Sequence, residues 1–139
     1  MARIKIELPE QFAFSTKIPI RITDLNYGGH VGNDTVLSLI HEARVQFLKN
    51  FGYDELNLDG VSLIMSDAAI EFKAELFYGD MITAFVAANN FSRVGFDLYY
   101  KLMNGETLVA TAKTGMICYN YKSKKVVSIP GKVKEKLSV

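Results

Sequence analysis

Between Asn33 and Gly52 the apolar residues Val36, Ile40, Ala43, Phe47 and Phe51 recur at steps of four, three, four and four, the period that lines one face of an α-helix. Leu37, Leu39 and Leu48 widen that stripe until the first half of the segment is apolar nearly all round, which predicts a long, largely buried helix. Asn33 suits the N-cap, Asp34 complements the positive end of the helix dipole, and Gly52 suits the position that stops the helix.

The rest of the chain reads as strand. Phe12 to Ile22 precedes the helix; Val61 to Ala74, Met81 to Ala88, Gly95 to Met103 and Thr107 to Tyr119 follow it, all rich in β-branched and aromatic residues. Asn104-Gly105 predicts a tight type I′ hairpin and Asn89-Asn90 a looser turn. Lys122 to Lys125 reads as a basic turn before a last strand, Val126 to Ile129. The order is that of an α+β fold, an antiparallel sheet of about five strands with one long helix on one face. One helix cannot cover the whole of such a face and an edge strand stays open, so a dimer at least is expected.

A chain of 139 residues, 49% apolar, holds one ordinary domain, here residues 1–139. Sixteen Lys and Arg against 15 Asp and Glu leave a net charge of +1, without the basic field that holds nucleic acid. The single cysteine, Cys118, excludes an internal disulfide and a multi-cysteine zinc site, and suits the reducing cytoplasm. The N-terminus has no signal-peptide core, and no stretch approaches the ~18 to 20 apolar residues of a membrane span, so a soluble protein with no membrane partner is expected.

The segment Asp24-Leu25-Asn26-Tyr27-Gly28-Gly29-His30-Val31-Gly32-Asn33 leads straight into the helix, which carries Glu42-Ala43-Arg44 near its middle. It resembles the hotdog-fold thioesterases, particularly the 4-hydroxybenzoyl-CoA thioesterase-like and acyl-ACP thioesterase branches. In these an Asp-x-Asp-x-x-Gly-His-Val-x-Asn pattern precedes a helix with Glu-x-Arg or Glu-Ala-Arg. Glu71-Phe72-Lys73-Ala74-Glu75-Leu76-Phe77-Tyr78-Gly79-Asp80 is similar to the family's strand ending in a Gly-Asp turn, and the likeness covers Ile18 to Tyr119. The resemblance implies a sheet wrapped around a central helix, two chains with their sheets joined edge to edge, and active sites at the dimer interface. It also implies hydrolysis of an acyl-CoA or acyl-ACP thioester by carboxylate-activated water or through an acyl-enzyme, with no metal or redox cofactor. The thioester carbonyl would be polarised by backbone N–H groups at the helix N-terminus.

One position departs from the pattern. The family's second Asp, a usual catalytic carboxylate, falls on Asn26, whose amide cannot serve as base or nucleophile at neutral pH. Two residues are candidates to replace it. Asp34 lies in the first helical turn, beside the oxyanion donors, unless it merely complements the dipole. Glu75 matches the position of a catalytic Glu in acyl-ACP thioesterases on the strand after the helix, unless it is a solvent-facing strand residue. Asn26 and His30 would then position water or the carbonyl, and Gly28, Gly29, Gly32 and Asn33 would border the substrate. The plainer readings are a histidine that satisfies loop backbone groups and glycines that serve the turn.

Asp24 is expected to brace the loop, Glu42 and Arg44 to take part in a structural ion pair or hydrogen bond, and Cys118 to be a buried inert thiol. The Lys122 to Lys125 turn is a solvated cluster or a contact for the phosphates of coenzyme A. Two other functions stand beside hydrolysis. A non-catalytic acyl-thioester binding protein is motivated by Asn26, and a hotdog hydratase or dehydratase would need a His-carboxylate pair aimed at the acyl α and β carbons.

Overall fold

The computed structural model describes residues 2–138. Period-two alternation sets the sheet. In β3 (Met81–Asn89) Ile82, Ala84 and Val86 face inward, and in β4 (Gly95–Asn104) Phe96, Leu98, Tyr100 and Leu102 do the same. With β1 (Phe14–Pro19), β2 (Ser62–Phe72) and β5 (Thr107–Asn120) these form one antiparallel sheet in the order β1-β3-β4-β5-β2. A two-residue β6 (Lys125–Val126) pairs with β5. The helix α1 (Asn33–Asn50) lays Val36, Leu39, Ile40, Ala43, Phe47 and Leu48 on the inner face of this sheet, the hotdog arrangement. Leu37 and Val45 remain 37% exposed, so the helix is less completely covered within one chain than its apolar content suggests.

Several boundaries differ from the sequence reading. The first strand stops at Pro19, although the Ile20 N–H still bonds to the Asp80 carbonyl, and Ile22–Asp24 form a 3-10 turn instead. The second strand ends at Phe72, before Glu75, and carries a bulge between Met65 and Asp67. The hairpin pairs Asn104 with Thr107, so its two central residues are Gly105 and Glu106. Only Gly105 has positive φ (60°), which is the II′ pattern and not I′. The expected last strand is confined to Lys125–Val126, and an unforeseen α2 (Gly131–Leu137) follows Pro130, burying Val133 and Leu137 one turn apart. Among the described residues no helix is long and apolar enough to cross a membrane.

The architecture gives the molecule two ends. The entry to α1, the end of β1, the end of β2 and the start of β3 gather at one of them. The β5–β6 turn with Lys122 to Lys125 lies at the other, beside the start of β2. Its lysines therefore stand about 35 Å along the sheet from the α1 entry of the same chain, given a rise of ~3.3 Å per strand residue.

Candidate active site

The site is assembled from two loops that meet at the entry to α1. In the first, Asn26 folds the chain back on itself. Its N–H donates to the His30 carbonyl (2.9 Å), its carbonyl accepts from the Gly29 N–H (3.1 Å), and its Oδ1 accepts from the Gly28 N–H (2.8 Å). Gly29 sits at φ +82°, a left-handed conformation that favours glycine. The Asn26 side-chain oxygen is thus used as a loop staple, a role that an amide fills as well as a carboxylate.

The second loop follows β2 and is clamped against the first. The Val31 N–H donates to the Leu76 carbonyl (2.9 Å), the Ile20 N–H to the Asp80 carbonyl (2.8 Å), and the Gly79 N–H to the Ile20 carbonyl (3.2 Å). Asp80 also accepts the Phe77 N–H through Oδ2 at 2.9 Å, which closes the Gly-Asp turn. Glu75 consequently projects from an ordered loop, exposed, and not from a strand as expected.

Between the loops opens a cleft of about 270 Å³. His30, Asn33 and Glu75 are its polar members apart from Lys73, over a floor that includes the buried Val31, Val36 and Leu76 and beside the half-exposed Phe72. His30 Nδ1 lies 3.3 Å from the Val31 carbonyl oxygen; with its proton there, Nε2 is the free acceptor. Asp34 does not line this cleft. It is exposed, and its Oδ1 folds back over Gly32, where an added Cβ would meet it at 2.7 Å.

The helix begins one residue earlier than expected. Gly32, not Asn33, is the N-cap, and no side chain caps the helix. The N–H groups of Thr35 and Val36 bond to the Gly32 carbonyl, but those of Gly32, Asn33 and Asp34 have no acceptor among the described residues. A helix terminus left open in this way presents donors and a positive dipole end to whatever carbonyl or anion comes next to it. Of these three residues Asn33 alone lines the cleft, together with Glu75 and His30.

The remaining candidates fall elsewhere. Asp24, buried, accepts the Arg21 N–H at 2.8 Å and pairs with the Arg21 guanidinium at 3.6 Å, bracing the turn before the loop. Glu42 is exposed and merely accepts from Gln46 one turn on, whereas Arg44 is the buried member of that stretch, paired with Glu55 from outside the helix. Cys118 is fully buried, and burial pushes its thiol up to about 11. Among the described residues no group of three His, Cys, Asp or Glu side chains could hold a metal ion. Phe72, the last residue of β2, and Lys73, just beyond it, are cleft residues that a sequence reading of one strand to Ala74 does not single out.

The Thioesterase-like superfamily family model matches residues 20–137, and the chain belongs to that superfamily. It is 32% identical over 118 residues to a 1,4-dihydroxy-2-naphthoyl-CoA hydrolase of Microcystis aeruginosa, covering 83% of this chain and 86% of the relative. The 1,4-dihydroxy-2-naphthoyl-CoA thioesterase of Synechocystis superposes with a TM-score of 0.79 at 22% identity, over 89% of this chain and 93% of that one, a likeness of fold. A protein of Aquifex aeolicus superposes with a TM-score of 0.82 at 26% identity, over 90% of this chain and 99% of its own.

Proposed function

We propose that this protein hydrolyses an acyl-CoA thioester to the free acid and coenzyme A, with Glu75 as general base. The observation that carries the reading is the uncapped helix entry at Gly32–Asp34, whose Asn33 borders a cleft that holds a carboxylate and a histidine. The free N–H groups receive the thioester oxygen as it gains negative charge. Glu75 takes a proton from a water, the water oxygen bonds to the carbonyl carbon, the carbon–sulfur bond breaks, and the proton passes on to the departing thiolate. His30 holds the water or the carbonyl, and Asn26 shapes the loop. Asp34, Gly28 and Gly29 support the same entry. The related hydrolase from Microcystis is named for a CoA thioester, which supports coenzyme A as carrier; no relative described above is named for an acyl carrier protein.

The domain is taken as the whole of residues 1–139, and the chain as a dimer at least. β1 and β2 are both free edges, and the exposed Met65, Phe72, Phe77, Tyr78 and Met81 lie on or between β2 and β3. A monomer by light scattering at micromolar concentration would remove that part of the reading. The one cysteine, unpaired, supports a reducing compartment, the cytoplasm.

The test is thiol release from short, medium, long and aromatic acyl-CoAs by wild type, Glu75→Gln and Asp34→Asn. Glu75→Gln should lower kcat on the order of 10²-fold or more, and Asp34→Asn far less. The reverse pattern would move the base to Asp34, and two near-wild-type variants would rule out both. A wild type that binds acyl-CoA by calorimetry but releases no thiol would be a binding protein, the alternative that Asn26 motivates.

A further inference from the structure

Resting on the dimer of the reading above, we propose that the segment before β1 is a clasp between two copies of this chain, residues 2–5 of one protomer lying on the outer face of its partner's sheet. The segment has no regular secondary structure, yet it crosses its own sheet along a definite line. Phe12 sets its ring 6.1 Å from that of Phe85 on β3, and Lys101 Nζ on β4 lies 5.3 Å from the Phe12 ring. Further toward the N-terminus, the Ile6 N–H donates to Glu71 Oε1 on β2 at 2.7 Å, the oxygen that also accepts the Thr111 hydroxyl of β5 at 3.4 Å. The ladder pairs Phe85 with Lys101, Lys101 with Thr111 and Thr111 with Glu71, so these contacts follow one row across four strands. Phe85, Lys101 and Thr111 alternate with buried neighbours on their strands, which puts the row on the outer face. The chain therefore runs from β3 to the edge strand β2, where its own sheet ends.

The residues beyond that edge carry the argument. Ile4, Ile6 and Leu8 alternate with Lys5 and Glu7, the apolar row of a segment laid flat on a surface. Ile6 and Leu8 are half-buried, whereas Ile4, the next member of the row, is 59% exposed. Four extended residues reach about 13 Å, more than two strand spacings of ~4.8 Å, so residues 2–5 are long enough to cross a second edge strand. A second copy supplies one. β2 is an unpaired edge of eleven residues, against six for β1, which ends in Pro19. Joining two β2 strands antiparallel continues the outer face in the direction in which the segment leaves it. The two-fold relation repeats the contact, so each dimer holds two clasps.

The experiment places a benzophenone photo-crosslinker on the thiol of Ile4→Cys; the native Cys118 is buried and stays unlabelled. Irradiation should give a covalent product of twice the chain mass, with the linked residue on β2 or β5 of the other copy by mass spectrometry. Lys5→Cys, on the opposite side of the row, should give far less of it. In parallel, subunit exchange between isotope-labelled and unlabelled dimers is followed by native mass spectrometry. Ile4→Asp should speed exchange on the order of 10²-fold, about tenfold for each of two apolar side chains lost from the interface, and Lys5→Ala should match wild type. Links confined to one chain in a dimeric wild type, or exchange unchanged by Ile4→Asp, would overturn the clasp and leave the dimer standing. A monomeric wild type would remove the dimer and the clasp with it.

Discussion

Replacing Glu55 with Gln strips the countercharge from a guanidinium buried in the core. Arg44 is 6% exposed, its Nε lies 3.2 Å from Glu55 Oε2, and its Nη1 lies 3.3 Å from the Tyr100 hydroxyl, which in turn shares a 2.8 Å hydrogen bond with Thr114 Oγ1. Burial works against the Arg44 charge, but Tyr100 and Glu55 together hold its pKa above the ordinary value. The variant therefore keeps a charged Arg44 with only neutral partners. Breaking a fully buried pair costs ~3–5 kcal/mol; the Glu55 side chain is 26% exposed, so water screens part of the attraction and about 2–3 kcal/mol is expected.

For a domain of this size each kcal/mol moves the melting temperature by roughly 3–5 °C, so calorimetry at pH 7 should show a drop of about 6–15 °C. Arg44→Met in the Glu55→Gln background removes the orphaned charge and should recover at least part of the loss. The reasoning fails if Glu55→Gln lies within about 0.5 kcal/mol of wild type, the range of an ordinary surface change. It also fails if the double variant loses the full sum of the two single costs, because the charges would then be uncoupled.

Cys118 should resist a disulfide thiol reagent at pH 8 in the native protein and react fully in guanidinium, since burial raises its thiol to about 11. The sign follows: native burial favours the thiol form, and that stabilisation is lost only as pH rises past the ordinary thiol value toward about 11. Complete native reaction within minutes, with the fold intact, would contradict it. Gly95→Ala should cost more than ~4 kcal/mol and give insoluble or grossly destabilised protein, because the added Cβ would sit 2.1 Å from the Met116 carbonyl oxygen of the adjoining strand. A wild-type melting temperature for that variant would disprove the close approach of β4 and β5. Asn26→Asp keeps an oxygen for the Gly28 N–H and adds a carboxylate at the helix entry, so thiol release should be retained or increased. Complete loss with the fold intact would mean that the amide itself is needed.

The elements with strong periodicity were legible in the sequence for a physical reason: α1 and the strands bury one face each, and burial imposes the 3.6- and 2-residue periods on composition. What was not legible depended on backbone detail. Gly105 and Glu106 took the centre of the hairpin because the ladder extends to Asn104–Thr107, one residue further than the Asn-Gly signal implies. α2 announced itself only by Pro130 and the Val133/Leu137 spacing, too short a signal to outweigh the β-branched run before it. In the site, the loop from Asp24 to Gly32 was readable as a unit, since glycines and Asn26 there can do little but turn the chain. The partnership of His30 and Asn33 with Glu75 was readable only through the family likeness. It is made by the Val31–Leu76 hydrogen bond, between residues 45 positions apart, and no local pattern encodes it.

That hydrogen bond also bears on how an Asn at position 26 fits the hydrolysis proposed above. On the proposed reading the fixed element is the open helix entry, where the N–H groups of Gly32, Asn33 and Asp34, without an acceptor among the described residues, would receive the carbonyl oxygen. Once the carbonyl is fixed, a base is needed on one side of it only, and two loops reach that ground from different parts of the chain. The first loop offers position 26, where the side-chain oxygen is already committed to the Gly28 N–H. The second offers Glu75, whose carboxylate has no hydrogen-bond partner among the described residues and borders the cleft directly. A carboxylate held by backbone donors is a poorer base than one left free, since those bonds stabilise its charged form and lower its affinity for a proton. On the proposed reading the division of labour follows from that difference: the amide at 26 keeps the loop closed without competing for the proton, and the carboxylate at 75 would be the one to take it.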